Sequence, residues 1–113
     1  MSKYANGAAF ERKIKKAFED AGYFVIRSAG SKGKVDLCAI RTDSFAMIPD
    51  VCLIQCKRGS ISIDEWNELV DLAETICATA VLAAPKSLME ITGQRSKGIK
   101  ILPAKPFVLK GAA

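Results

Sequence analysis

The sequence predicts an α/β sandwich, a mixed central sheet flanked by helices, and three observations carry that reading. Apolar residues recur at helical spacing near the N-terminus, at Phe10, Ile14, Ala17, Phe18 and Ala21. Short runs rich in β-formers follow at residues 23–27, 35–41 and 51–57. A second helical period and a wholly apolar run at 78–84 complete the pattern.

The first helix is expected over residues 6–21, closed by Gly22 as a C-terminal glycine closes helices. Glu11 lies about 100° round that helix from Phe10, so it borders the apolar stripe beside Phe18. A short strand at 23–27 leads into a loop of small and basic residues, 28–34. The next strand, 35–41, places Asp36, Cys38 and Ile40 on one face. A connection containing Pro49 leads to the third strand, 51–57, where Gln55 and Lys57 share a face. If the two strands pair as a hairpin about residue 46, Asp36 falls opposite Gln55 or Cys56.

Ser62 and Glu65 fit a capping box, and Ile61 with Trp66 fits a hydrophobic staple, so a second helix starts near Ser62. Trp66, Leu69, Val70, Ala73, Ile76 and Cys77 form its expected buried stripe. Its other face carries Asp64, Glu65, Glu68, Asp71 and Glu74 without a basic residue, and should not lie against DNA. The run at 78–84 reads as a central strand stopped by Pro85. One or two late strands are expected at 99–102 and 107–109.

At 113 residues, half of them apolar, the chain is expected to form one globular domain over 1–113. No apolar run approaches the ~20 residues that span a bilayer, and the N-terminus lacks a signal peptide's apolar segment, so the expected location is cytoplasmic. The four cysteines (Cys38, Cys52, Cys56, Cys77) all lie in apolar stretches and form no CxxC pair. With no histidine in the chain, they are expected to be reduced, buried thiols rather than zinc ligands. The lack of histidine also removes Ser-His-Asp and Cys-His catalysis. The net charge of +5 divides unevenly. Residues 1–34 and 86–113 each carry +5, and 35–85 carry −5. Basic ends suit a polyanionic partner.

Taken singly, the polar residues have ordinary explanations. Asp36 could cap a turn, Lys57 could serve solubility, and Glu11 could pair with Lys15 at i,i+4. Together they interrupt two apolar strands where hydrophobes belong, and they suit metal-assisted phosphodiester hydrolysis. Asp36 is the prime ligand for Mg²⁺, Gln55 offers a neutral oxygen, and the Cys56 carbonyl would project nearby. Lys57 can orient water and stabilise developing negative charge, and Glu11 could reach the same cluster.

The segments Gly7-Ala-Ala-Phe10-Glu11-Arg12, Gly22-Tyr-Phe-Val25-Ile-Arg27-Ser28-Ala-Gly30-Ser31, Val35-Asp36-Leu37-Cys-Ala39 and Gln55-Cys-Lys57 resemble the archaeal-type Holliday junction resolvases. These belong to the PD-(D/E)xK superfamily, whose fold is the restriction-endonuclease-like α/β sandwich. The resemblance covers residues 6 to about 84. It implies a homodimeric, Mg²⁺-dependent endonuclease, with Mn²⁺ able to substitute, that cuts four-way DNA junctions by paired symmetric nicks. Glu11, Asp36 and Gln55 would then be metal-site residues, Lys57 the catalytic lysine and Ser31 a serine near the scissile phosphate. Arg27 and Lys32 match DNA-contacting positions.

Arg12 and Lys15 on the first helix, Ser28 and Lys34 in the loop, and Arg58 are further candidates for tracking the phosphate backbone. Position 55 departs from the family, which normally carries glutamate there. Glutamine removes one negative charge, so weaker Mg²⁺ binding and a less activated water are expected. Two alternatives stand beside the resolvase. One is a general PD-(D/E)xK nuclease on branched or duplex DNA, the other a junction-binding protein with a weakened metal site and no cleavage.

Overall fold

The computed structural model describes residues 3–28, 35–42 and 48–109. Helix α1 spans Lys3–Asp20, followed by β1 (Phe24–Arg27), β2 (Leu37–Thr42) and β3 (Pro49–Cys56). Helix α2 (Ile63–Thr75) leads to β4 (Thr79–Ala84), β5 (Ser87–Ile91) and β6 (Ala104–Pro106). The six strands form one sheet in chain order. Neighbours run antiparallel except β3 and β4, which are parallel. That joint is where α2 crosses over, since parallel neighbours need a long connection.

The helices cover opposite faces of the sheet. Ile14, Phe18 and Ala21 of α1 pack with Val25, Leu37, Ala39, Cys52, Ile54, Val81 and Ala83. Trp66, Leu69, Val70 and Ala73 of α2 pack with Leu53, Ala80 and Ile91. The odd–even split between Leu53 and its neighbours Cys52 and Ile54 is the two-residue strand period. Phe18, Leu37, Ile54 and Val81 are wholly buried, and they fix the sheet against α1.

The helix ends follow from local chemistry. Gly22 has φ 94°, and the Tyr23 and Gly22 amides donate to the Phe18 and Glu19 carbonyls. This is a Schellman closure, with Tyr23 edge-on to Phe18 at 5.3 Å. Helix α2 ends the same way, with Ala78 donating to the Ala73 carbonyl and Cys77 donating to that of Glu74. Its left-handed position is filled by Cys77, at φ 57°, where glycine would be unstrained. At the other end Ser62 is the N-cap, accepting from the Glu65 amide at 3.1 Å.

Two expectations need correcting. The late strands lie at Ser87–Ile91 and Ala104–Pro106, not at 99–102 and 107–109. Pro85 does not merely stop β4. With Lys86 it forms a two-residue turn that returns the chain as β5, pairing Ala84 with Ser87. Ile99 and Ile101 are instead exposed, and Phe107 uses its ring to stack on Phe18 at 5.8 Å. Pro106 is tolerated because β6 is an edge strand. The second correction concerns the thiols. Cys52 is buried and Cys38 and Cys56 are half-buried, but Cys77 is exposed at the end of α2, and so is Ile76, so the buried stripe of α2 stops at Ala73. No helix among the described residues is long and apolar enough to cross a membrane.

Candidate active site

The β2–β3 register pairs Leu37 with Ile54 and Thr42 with Pro49. One step further, Asp36 stands opposite Gln55, the first of the two partners, Gln55 or Cys56, that a hairpin about residue 46 leaves open. Asp36 is held from three directions. Its amide donates to the Ile54 carbonyl at 3.0 Å, and its carbonyl accepts from the Ser28 amide at 2.9 Å. Its carboxylate oxygen Oδ2 accepts from the Cys56 amide at 2.8 Å. A carboxylate that accepts from the Cys56 amide, on a backbone tied to β3 and to the residue after β1, is preorganised.

Burial nonetheless pushes the Asp36 carboxyl above the ordinary range. The Cys56 amide lowers it, the Glu11 charge raises it, and Lys57 and Arg27 lower it again. These groups therefore share one electrostatic neighbourhood, at the end of the sheet where β1 and β3 finish and β2 begins. The Cys56 thiol reports the same field. It is pushed up to about 12, by burial first and then by Asp36 and Glu11. Cys56 thus stays a neutral thiol, leaving its backbone to serve the site.

Glu11 reaches the cluster from α1. Its Oε1 accepts from Arg27 Nε at 3.2 Å. The i,i+4 explanation fails here, because Lys15 pairs with Glu19 at 2.9 Å and leaves Glu11 to Arg27. Arg27, expected at the DNA, also steadies a carboxylate of the site. Gln55 is half-buried on β3, and strand alternation puts it on the face of Leu53 and Lys57. The Lys57 amide extends the ladder by donating to the Ala83 carbonyl at 2.9 Å. Its ammonium lies 2.7 Å from Glu65 Oε2.

The sequence pattern reads Glu65 as a cap and as part of an acidic outer face, not as a partner of Lys57. The missed signal is the short 57–62 connection, which forces the end of β3 and the first turn of α2 together. Lys13 was missed as well. With Arg58, Ala9, Phe10 and Pro85 it lines a groove between α1 and the end of β3. Arg12 and Arg58 are exposed. Ser31, Lys32 and Lys34 lie outside the described residues. A second cleft, of about 380 Å³, flanks Asp36 and is lined by Ile26, Val35, Cys38, Leu53 and Leu72.

The oxygen donors here are of the kind a hard divalent cation takes. Glu11 and Asp36 are two carboxylates whose charges repel across the site, and Gln55 and the Cys56 carbonyl are neutral oxygens that could join them. Among the described residues no three His, Cys, Asp or Glu side chains converge as a metal set.

A mixed sheet with helices on both faces and polar groups clustered where strands meet is the restriction-endonuclease-like arrangement. The chain belongs to the archaeal Holliday junction resolvase family, whose family model matches residues 2–95. It is 37% identical over 86 residues to the crossover junction endodeoxyribonuclease Hjc of Methanocaldococcus jannaschii. That match covers 72% of this chain and 59% of the relative's length. The fold resembles a solved structure of Archaeoglobus fulgidus Hjc, a Holliday junction resolvase, with a TM-score of 0.54 and 22% identity. The superposition covers 80% of this chain and 83% of that one.

Proposed function

We propose that this chain is a metal-dependent endodeoxyribonuclease that resolves four-way DNA junctions, acting on recombination and repair intermediates. The observation that carries the reading is the fixed Asp36 carboxylate, sharing its electrostatic neighbourhood with Glu11 and Lys57, in a chain of the resolvase family. Glu11, Asp36, Gln55 and the Cys56 carbonyl would hold Mg²⁺, with Mn²⁺ able to replace it. When bound, the cation neutralises phosphate charge and lowers the pKa of an attacking water. Arg27 keeps Glu11 aimed at the cluster, and the Cys56 amide keeps Asp36 aimed there. Lys57 donates toward the phosphate oxygens and offsets the charge that develops on them. Ser31 is assigned to the scissile phosphate by family resemblance alone.

Recognition rests on phosphates and shape. Lys13 and Arg58 line the groove beside the site, Arg12 is exposed on α1, and Ser28, Lys32 and Lys34 are candidates from the segment between β1 and β2. A homodimer would place two such sites about one axis, matching a two-fold substrate. Support comes from the α2 face of the sheet. Helix α2 packs on β3 and β4, while Phe24 and Ile26 of β1 remain 67% and 50% exposed. These two exposed apolar side chains, two apart on one strand, are what a second copy would cover.

The test is incubation with a labelled four-way junction, a flap and a plain duplex, each with Mg²⁺, Mn²⁺ or EDTA. The reading expects metal-dependent cutting of the junction alone, lost in Asp36→Asn. Equal cutting of flap and duplex would make this a general nuclease. Tight junction binding without cutting under any metal would make it a binding protein.

A further inference from the structure

We infer that Glu65 is a positioning residue for Lys57, holding its ammonium at the end of β3 where the scissile phosphate is read to lie. The importance of that ammonium rests on the nuclease reading; the contact itself does not.

A lysine at a strand end ordinarily wanders, because its flexible stem loses entropy when fixed. Lys57 has contacts that oppose this: its backbone is tied to β4 through Ala83, and its ammonium sits 2.7 Å from Glu65 Oε2. Glu65 is in turn tied to the start of its own helix. Its other oxygen, Oε1, accepts from the Ser62 hydroxyl at 3.2 Å, and its amide donates to that same hydroxyl at 3.1 Å. The next residue, Trp66, is fully buried and donates through Nε1 to the Gly93 carbonyl at 2.9 Å. The anchor is therefore a carboxylate held within the first turn of α2, and its pKa is lowered chiefly by the bond from Lys57.

Capping alone explains one oxygen of Glu65 and leaves the other unexplained. Glutamine serves the cap as well as glutamate does, so Glu65→Gln separates the two roles. The experiment measures single-turnover cleavage of a four-way junction, junction affinity and melting temperature for wild type, Glu65→Gln, Lys57→Ala and the double variant. It adds NMR order of the Lys57 Cε methylene in the metal-free protein. Glu65→Gln should slow cleavage by about tenfold, with affinity and melting little changed, and should add nothing to Lys57→Ala. The methylene should be ordered in wild type and mobile in Glu65→Gln. An unchanged or faster rate, or equal methylene order in both proteins, overturns the inference. A wild-type chain that cuts nothing refutes the nuclease reading instead, and the NMR comparison still decides whether Glu65 holds Lys57.

Discussion

Removing the two cations of the groove between α1 and β3 should change how salt controls junction binding. Lys13 and Arg58 line that groove beside Asp36's end of the sheet. Neither is among the ion pairs of the described residues, whereas Lys15, Lys16 and Arg27 are held by Glu19, Asp20 and Glu11. Each phosphate contact on duplex DNA contributes about −0.9 to the slope of log affinity against log salt. Two cations on each of two protomers make about four contacts, so Lys13→Gln with Arg58→Gln should flatten the slope by about 3.6. Between about 50 and about 200 mM salt, wild type should then lose about 150-fold more affinity than the variant. The assay is fluorescence anisotropy with a labelled junction in EDTA, in an Asp36→Asn background that cannot cut. An unchanged slope would refute the groove as a phosphate track. A flattening of about half that size would mean that one protomer binds alone.

Two further predictions concern the carboxylates. Because burial raises the Asp36 carboxyl, the folded chain holds that proton to higher pH than the unfolded chain does. Ionised Asp36 therefore subtracts stability above the ordinary carboxylate range. In EDTA, Asp36→Asn should melt higher than wild type at pH 7, and the gap should close as pH falls toward about 4. An asparagine oxygen can still accept from the Cys56 amide, so a variant that melts lower at pH 7 would contradict this account. Gln55→Glu should keep or raise cleavage and lower the Mg²⁺ midpoint by about tenfold, equivalent to about 1.4 kcal/mol. A clear loss of cleavage would show that the amide itself is needed.

Much of this architecture was legible because it follows from short-range periodicity. The stripe of Ile14, Phe18 and Ala21, the Gly22 closure and the Ser62–Glu65 cap are local, and each occurs as its spacing implies. The β2–β3 register was legible to within one residue, since a hairpin centre near residue 46 sets Asp36 against Gln55 or Cys56, and the pairing falls on Gln55. The C-terminal strands were not. Pro85 is equally a strand stop and a turn former, and the apolar Ile99 and Ile101 suggested a strand where they are exposed. The same division runs through the site. Asp36, Gln55 and Lys57 could be grouped by strand period. The partners that hold them could not. Arg27 is 16 positions from Glu11 along the chain, and no spacing rule announces their contact. Glu65 had a sufficient local explanation, which concealed its second bond.

The Asp36 cluster is proposed to cut four-way DNA. Mapping the cut positions on all four strands of a labelled junction, with Mg²⁺ and with EDTA, tests it most directly. The account predicts symmetric paired cuts on two opposing strands, present with metal and absent both in EDTA and in Asp36→Asn. Cuts that persist in Asp36→Asn, or that fall without symmetry on all four strands, would contradict it.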